Sequence, residues 1–416
     1  MADRANTDLL PTLRFSGESM QRHNRRIRSF HQITVDTLPA QAPIITLFSG
    51  GLDSSYLLLR LKRAGFRNIH ALSVDLGEDE TTTQKQQIAD ELGVQLHIVD
   101  GRQTFANEFV RAAIVSQAVY LGVHPVSSTL SRPLIARIAV EEAVRLGAVA
   151  ILHTANRSQN TLRRLNGALD LLGFPGSYGS PYDLDPVDRD VKIQELKEVG
   201  LAQMSERVVS GDSNLWCREF ESGILDDPEE HAVPDHMFRW SARRHESTED
   251  SVEVRFEGGT PVAVDGMELP LVQLIDELNW RVGAFAMGRY SGLEHLDGGE
   301  KVLEIREMPA AWLLLRSYRH LETAVLAAET IREKMHLEQI WVREALEGRW
   351  FGELRTAAQS FMDFCAHSVS GSVRWRLTPG SAETRSILAD KPIYLRDREA
   401  WENLSVRSEL SALLVG

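Results

Sequence analysis

Residues 43–55 read PIITLFSGGLDSS, and this stretch decides how the rest of the chain folds. An apolar run of strand length, 44–48, is followed by a serine, two glycines, an aspartate and two more hydroxyl residues. Apolar residues then recur at helical spacing from Leu57 to Ala64, before a glycine. The pattern predicts a strand, a tight loop and a helix.

The composition of this loop is typical of phosphate binding. Gly50 and Gly51 permit backbone conformations that other residues avoid, and they let an anion approach the main chain. The N–H groups and the positive dipole end of the new helix would face that anion. Hydroxyl donors would come from Ser49, Ser54 and Ser55. One alternative, a Walker loop, would need a lysine that this loop lacks. The other alternative is a serine-rich turn that closes an ordinary βα unit. The hydroxyl residues and the aspartate argue against it.

The length of 416 residues predicts two domains, because it exceeds what a single hydrophobic core usually organises. The hydrophobic content of 43% is typical of a globular protein. The net charge of −13 argues against a general nucleic-acid or membrane-surface binder. The chain has two cysteines, Cys217 and Cys365, and no C-x-x-C motif. This cysteine content argues against a disulfide framework and against a zinc site. We find neither an apolar run of about 18 residues nor a signal-peptide core, and we therefore expect a cytoplasmic protein with no membrane partner.

The sequence divides into three regions that differ in composition and in their pattern of predicted strands and helices. Residues 1–42 are a polar N-terminal extension with a basic cluster that we interpret as a solvated face. Residues 43–205 alternate strand and helix, which is typical of a parallel, doubly wound α/β domain. Residues 206–416 are interpreted as an α+β domain with a C-terminal helical arm. The first domain is predicted to contain strands at 44–48, 69–74, 95–99 and 149–153, and helices at 54–64, 83–92, 105–121, 133–146 and 191–199.

The second domain begins with a mixed loop over 201–231 and a charged linker over 240–251. A hairpin is predicted at 252–264, because apolar and charged residues alternate around Gly258-Gly259. Leucines in the tail, 405–414, suit a helix that packs on a partner. Further helices are predicted at 271–278, 310–334, 341–348 and 352–365, and strands at 372–377 and 386–388.

Three loops of the first domain should meet in one crevice. Ligands of parallel sheets bind beyond the carboxyl ends of the strands. The loop at Ser49, the segment Asp75–Glu78 and the segment Thr154–Asn160 all follow predicted strands. We therefore expect the substrate site there.

The loop resembles the S-G-G-x-D-S signature of the N-type ATP pyrophosphatases, and four segments together resemble the argininosuccinate synthase family. Residues 49–55 are nearly identical to that family's loop, and 128–136, STLSRPLIA, looks like its T-[SA]-L-A-R-P-L-I-A. Residues 153–166 stand in the place of its H-G-A-T-G-K-G-N-D-x-x-R-F-E. Residues 213–228, with SNLW and ESGILDDP, are close to its E-N-L-W and E-G-G-I-L-E-D-P. The segments occur in family order, and the resemblance covers roughly residues 43–395.

The resemblance implies ATP-dependent C–N bond formation. In the family, the ureido oxygen of citrulline attacks the α-phosphorus of ATP, and the amine of aspartate then displaces AMP. Magnesium is expected on the phosphates, amino-acid-like small molecules as substrates, and a homotetramer as the assembly.

The nucleotide half of the family pattern is mostly present. Lys192 resembles a lysine that related pyrophosphatases use on phosphates, although a surface helix lysine is an equal alternative. The family's G-K-G becomes Arg157-Ser158-Gln159, and Arg157 could supply donors in exchange. The resemblance implies catalytic roles for Ser49, Asp53 and Lys192. It implies nucleotide binding by Ser49, Gly50, Gly51, Leu52, Asp53, Ser54, Ser55, Val74 and Arg157.

The acceptor half is partly retained. Asn160, Arg164 and Ser210 match family residues that contact citrulline. His124 stands where the family has tyrosine, and Thr129 where it has serine. The second segment adds two further substrate-binding candidates, Ser128 and Arg132.

Five further positions depart from the family. Glu219 stands for a serine, Met287 for the glutamate that pairs with the citrulline ammonium, and Arg306 for a tyrosine. Asn156 replaces a threonine of the aspartate site, and Thr161 replaces the aspartate that orients the amine. Glu219 could recover the substrate cation, or Glu219 and Arg306 could simply pair with each other.

These departures favour a ligase that keeps the adenylation chemistry and has changed its substrates, as paralogues in specialised biosynthesis do. The alternatives are a true argininosuccinate synthase and a catalytically silent nucleotide-binding homologue. The second and fourth family segments, residues 128–136 and 213–228, argue against an enzyme that makes an amide from a carboxylate. A thiolation or nucleic-acid role is argued against by the charge and the cysteines.

Overall fold

The computed structural model describes residues 26–77, 82–201, 210–230, 233–242, 248–296 and 298–415. The first domain is built on a six-stranded sheet in which all neighbouring strands are parallel. Its strands, in spatial order, are Arg26–Ile27, Ser177–Gly179, Ala150–Leu152, Ile44–Leu47, Ile69–Asp75 and Gln95–Asp100. The α/β fold class predicted from the alternating pattern is confirmed.

Helices cover both faces of this sheet, which explains why its central strands are apolar on both sides. Ile44 and Ile45 are adjacent and both fully buried, yet they belong to different hydrophobic clusters on opposite faces. The helical segments of this domain are Phe30–Gln32, Leu52–Arg63, Thr82–Leu92, Arg102–Thr104, Phe105–Val110 (a π-helical turn), Arg111–Val115, Ser128–Leu146, Thr161–Leu171, Pro181–Asp183 and Arg189–Lys197. A two-stranded ribbon pairs Val119–Tyr120 with His124–Pro125.

Two antiparallel sheets and a set of helices form the second domain. One sheet has the order Arg289–His295, Lys301–Glu307, Arg218–Glu221, Ser210–Ser213. The other has the order Met267–Glu268, Thr260–Val264, Asp250–Glu257, Gly371–Thr378, Ser381–Ala389. The helices are Gly223–Leu225, Asp235–Met237, Leu271–Gly283, Pro309–Val325, Ala328–Leu346, Glu353–Ala366 and Arg398–Val415.

The largest hydrophobic cluster joins the two domains. It extends from Leu72 and Ile151 of the parallel sheet to Val252 and Trp375 of the five-stranded sheet. Because the core is continuous across the boundary, loops from both domains are held at fixed positions around the same cleft.

The predicted long helix over 310–334 is wrong, because two helices meet there. Leu326 and Ala327 are both extended, so the chain turns back on itself. The fully buried Lys334 then lies 2.8 Å from Glu322 of the preceding helix. The helical spacing of apolar residues continues through Leu326 and Ala327, so the sequence predicts one helix. Only the packing of the two helices against each other shows that the chain turns there.

The segment before residue 43 contributes to the first domain. Arg26–Ile27 adds an edge strand beside Ser177–Gly179, and the buried Ile33 and Leu38 join the core cluster of the phosphate-loop helix. Arg28, from the predicted basic cluster, donates to Asp183, whereas residues 1–25 lie outside the described part. The domain boundaries after residues 42 and 205 stay a prediction.

In the part of the chain that the structure describes, no helix combines the length and apolar character needed to cross a membrane.

Candidate active site

A cleft of about 590 Å³ opens where the carboxyl ends of the parallel strands face the four-stranded sheet. Ser49, Thr154 and Asn160 line it, so the predicted convergence holds for two of the three strand-end loops. At the third position the cleft is lined by Val74 of the strand itself, and the described residues 75–77 of the predicted segment lie outside the lining. Of the residues singled out in the sequence, the cleft is lined by Ser49, Gly50, Gly51, Leu52, Asp53, Ser54, Val74, Ser128, Arg132, Asn160, Thr161, Arg164, Lys192 and Glu219.

The loop between strand Ile44–Leu47 and helix Leu52–Arg63 has the features of an anion site. Gly50 adopts a φ of 79°, a conformation that favours glycine. Gly51 precedes the helix without a side-chain cap, so the first N–H groups of the helix stay available to a ligand. A Cβ on Gly51 would stand 3.3 Å from Ser49 Oγ and would narrow the loop.

Hydroxyl groups complete this loop. Ser54 Oγ donates to the carbonyl oxygen of Gly51 at 3.0 Å and lies 3.3 Å from Ser49 Oγ. Ser55 Oγ donates to the same carbonyl at 2.9 Å, is fully buried and does not line the cleft. The structure therefore gives Ser55 a loop-stabilising contact, while Ser49 and Ser54 present hydroxyls to the cleft.

Lys192 extends from helix Arg189–Lys197 to the mouth of the loop. Its Nζ donates to Asp53 Oδ1 at 2.6 Å and lies 5.6 Å from the centre of the Tyr182 ring. The Tyr182 hydroxyl donates to the carbonyl oxygen of Asp53 at 3.0 Å. An ammonium group is thus held beside the available N–H groups, where it can contact the phosphates of a nucleotide.

The altered loop after strand Ala150–Leu152 is only partly in the cleft, because Gln159 lines it and Arg157 does not. Arg157 Nε donates to Asp183 Oδ1 at 2.8 Å, and its guanidinium does not line the cleft. Asn156 Oδ1 accepts from the Ser158 N–H at 3.0 Å and likewise lies outside the cleft lining. The nucleotide role predicted for Arg157 therefore has no support in this conformation, because Asp183 attracts the side chain.

The far end of the cleft is closed by a buried network of charged groups. Arg306 Nε donates to Glu219 Oε2 at 2.9 Å, so these two residues pair as the alternative predicted. The Nη2 of Arg306 donates to Glu294 Oε2 at 2.9 Å and also to Glu304. Glu294 accepts a further bond from Arg164, whose Nη1 donates to Ser128 Oγ at 2.7 Å.

Three predicted acceptor residues do not line the cleft. His124 is buried, contacts the Arg306 guanidinium, and has a pKa lowered to about 3 by burial and by that positive charge. Thr129 is buried outside the cleft lining, and Met287 packs against the main hydrophobic cluster. Met287 stands where the family has a glutamate. Glu294, which accepts from Arg164, still supplies a carboxylate at this end.

Arg132 links this end to the aspartate-site candidates. Its Nη2 donates to Asp212 Oδ2 at 2.5 Å, and its Nε donates to Thr161 Oγ1 at 3.3 Å. Ser210 begins the neighbouring strand, but its side chain lies outside the described part.

Sequence reasoning missed Asp212, Glu221, Glu294 and Glu304, because the region around them was not recognised as strands. Val302, Glu304 and Arg306 alternate with Leu303 and Ile305, and this alternation is the signal that could have found them. The apolar face of the four-stranded sheet packs on a small core that contains Phe220, Leu225, Phe238, Leu303 and Ile305. Register places Glu219 opposite both Arg306 and Asp212, so the other face carries the charged groups to the cleft.

Comparison with known proteins identifies the family. Residues 43–170 match the family model described as "Arginosuccinate synthase N-terminal HUP domain", and 209–406 match "Arginosuccinate synthase C-terminal domain". The argininosuccinate synthase of Rubrobacter xylanophilus is 33% identical over 374 residues, which are 89% of this chain and 91% of that protein. The chain belongs to the argininosuccinate synthase family. This family consists of ATP-dependent ligases that form C–N bonds.

Other relatives agree. The argininosuccinate synthase of Dictyoglomus turgidum is 32% identical over 342 residues, 81% of this chain and 85% of that protein. The argininosuccinate synthase of Parasynechococcus marenigrum is 34% identical over 345 residues, 82% of this chain and 85% of that protein. Among solved structures, an NH3-dependent NAD synthetase from Campylobacter jejuni matches 41% of this chain and 70% of that chain at 16% identity and a TM-score of 0.28, which is too low to carry an argument.

Proposed function

We propose that this chain is an ATP-dependent C–N ligase of the argininosuccinate synthase type whose acceptor differs from citrulline. The observation that carries the proposal is that Glu219 lines the cleft while it is paired with Arg306, which lies outside the lining. At these positions the family resemblance implies a tyrosine and a serine. Two neutral groups are thus replaced by a buried ion pair, which changes both the shape and the charge offered to an acceptor.

The phosphate end supports nucleotide binding by this chain. The available N–H groups after Gly51, the hydroxyls of Ser49 and Ser54 and the ammonium of Lys192 suit a polyphosphate. Magnesium belongs to the proposal, because Mg²⁺ is usually held by substrate phosphates with one or two carboxylates. Asp53 lines the cleft and is a carboxylate within reach of such an ion.

In the proposed reaction, an acceptor oxygen attacks the α-phosphorus of ATP. A new P–O bond forms, the bond between the α-phosphorus and the bridging oxygen breaks, and pyrophosphate leaves with that electron pair. An amine nitrogen then attacks the activated carbon, loses a proton, and displaces AMP. The residues of the cleft act by holding the reactants in turn and by stabilising charge on the phosphates.

The amine donor is also proposed to differ from the family pattern. Thr161 lines the cleft where the family carries an aspartate, and it accepts a hydrogen bond from Arg132 instead of presenting a charge. Asn156 holds its own loop through the Ser158 N–H. Neither side chain offers a carboxylate to orient an incoming ammonium.

Release of pyrophosphate tests the proposal. The protein is incubated with MgATP and a panel of ureido and carboxylate acceptors, each with and without aspartate. We expect release with at least one acceptor other than citrulline, and only background release with citrulline plus aspartate. Turnover of citrulline plus aspartate at a rate typical of enzymes, tens per second, would refute the altered acceptor.

A double variant supplies the matched control. Glu219→Ser with Arg306→Tyr restores the residues that the resemblance implies for the family. We expect this variant to gain citrulline-dependent pyrophosphate release, whereas Glu268→Gln, at an exposed position outside the cleft, leaves the acceptor preference unchanged.

The second candidate is a true argininosuccinate synthase. Asn160 and Arg164 favour it, because both match family residues that contact citrulline and both line the cleft. The names of the relatives favour it as well. We further propose a homotetramer, in which the exposed Trp401 and Leu404 of helix Arg398–Val415 contact a partner subunit. The cytoplasmic location expected from the sequence stays a proposal.

A further inference from the structure

The closed end of the cleft holds more carboxyl groups than guanidinium groups. Asp212 is paired with Arg132, and Glu294 is paired with both Arg164 and Arg306. Arg306 must also serve two other carboxylates of the same network. Among the described residues at this end, five carboxylates face three guanidinium groups: Asp212, Glu219, Glu221, Glu294 and Glu304 against Arg132, Arg164 and Arg306.

Glu219 directs an unused acceptor at the cleft. Glu219 is only 5% exposed, and it lines the cleft. Oε2 accepts from Arg306, whereas Oε1 has no hydrogen-bond partner among the described residues. Because Glu219 lines the cleft and its Oε1 accepts from no described protein group, this oxygen is available to a donor on a bound molecule.

Glu221 repeats the pattern two residues along the same strand face. It lines the cleft, and its contact there is a long hydrogen bond, 3.4 Å, from Gln159 Nε2 to Oε1. Burial and the neighbouring carboxylates raise the pKa of Glu221 to about 7 and raise that of Glu219 as well. Without a ligand, Glu221 is therefore partly protonated near neutral pH, and a bound cation would take the place of that proton.

The arginines here do not suit a carboxylate ligand. Arg132, Arg164 and Arg306 each bind at least one carboxylate of the protein already. A ligand carboxylate would have to displace one of these partners and would meet the unpaired oxygens of Glu219 and Glu221.

We propose that the acceptor carries an ammonium or guanidinium group, and no carboxylate, at the end that contacts Glu219 and Glu221. The inference rests on the proposed function, since it names the acceptor class of the same cleft. It separates this chain from a citrulline enzyme, because citrulline brings an ammonium and a carboxylate together.

Three ureas test the inference. Butylurea carries no charge, N-carbamoylputrescine adds an ammonium, and citrulline adds both an ammonium and a carboxylate. Binding to the full-length protein is measured by calorimetry in the presence of a non-hydrolysable ATP analogue, and pyrophosphate release is measured separately with MgATP. We expect N-carbamoylputrescine to bind about tenfold more tightly than either of the other two, which is typical of one charge-assisted hydrogen bond.

Matched variants locate the effect. Glu219→Gln keeps the size of the side chain and a hydrogen bond to Arg306, and it should remove the preference for the ammonium. Glu221→Gln should reduce that preference, and Glu268→Gln, which is exposed outside the cleft, should leave it intact. Equal or tighter binding of citrulline, or a preference that survives Glu219→Gln, would overturn the inference.

The two readouts separate the proposals. Selective binding of N-carbamoylputrescine without pyrophosphate release from any acceptor would refute the proposed ligase activity and leave the cation site standing. Pyrophosphate release that is faster with citrulline than with N-carbamoylputrescine would refute the cation-only acceptor.

Discussion

Replacement of Arg306 by methionine should destabilise the fold in a manner that depends strongly on pH. Arg306 is 2% exposed and donates to Glu219, Glu294 and Glu304. Glu294 keeps Arg164 as a partner in the variant. Glu219 loses the cation that pairs with its Oε2, and it must either stay charged in a buried site or take up a proton.

Proton uptake sets the size of the loss. Neutralising a carboxylate whose unfolded pKa is about 4.3 costs about 4 kcal/mol at about pH 7.5, and about 2 kcal/mol at about pH 5.5. The variant then binds a proton when folded that it releases when unfolded, so its stability falls as the pH rises. The expected loss of about 4 kcal/mol agrees with the range of about 3–5 kcal/mol for breaking a buried ion pair.

The measurement is urea-induced unfolding followed by tryptophan fluorescence at the two pH values. Arg374→Met is the matched control, because Arg374 pairs with Glu253 on the surface and its side chain is 55% exposed. Removal of such a pair should change the free energy of unfolding by less than about 1 kcal/mol at both pH values. A loss below about 1 kcal/mol for Arg306→Met, or a loss independent of pH, would refute the assignment of Arg306 as the cation of the network.

Three further predictions concern ligand, nucleotide and assembly. Binding of N-carbamoylputrescine should tighten by about tenfold between about pH 6 and about pH 8, because the Glu221 carboxyl, whose pKa is raised to about 7, must lose its proton to accept the cation; calorimetry with Glu221→Gln should show a flat profile. Lys192→Ala should lower kcat for pyrophosphate release by about 10²-fold in steady-state assays, whereas Lys197→Ala, on the exposed side of the same helix, should leave it unchanged. Trp401→Glu combined with Leu404→Glu should convert the proposed tetramer to smaller species in sedimentation velocity, and an unchanged mass would exclude the C-terminal helix from the interface.

Local patterns accounted for the nucleotide-binding half of the molecule. A strand, a glycine turn and a helix start are determined by neighbouring residues, so residues 43–55 predicted the loop. The alternation of strands and helices predicted its place at the carboxyl end of a parallel sheet. Strand-end loops in such a sheet share one edge, and Ser49, Val74 and Asn160 accordingly meet in the cleft.

Arg157 shows where local patterns stop. Its sequence position suggests a phosphate contact, yet its guanidinium lies on Asp183, a residue 26 positions away. An exposed side chain at a loop position goes to the partner that the fold brings near, and the sequence alone does not name that partner.

By itself, the sequence determined the class of fold, the phosphate loop and the likeness to a family of ligases, since each depends on residues adjacent in the chain. Only the tertiary structure decided that Arg306, Glu219, Glu294 and Glu304 close the acceptor end together. Glu219 and Arg306 are paired across strands that are 87 residues apart. The chemistry of that end arises from strand register and shared burial, which bring distant charges together and leave too few cations for the carboxylates.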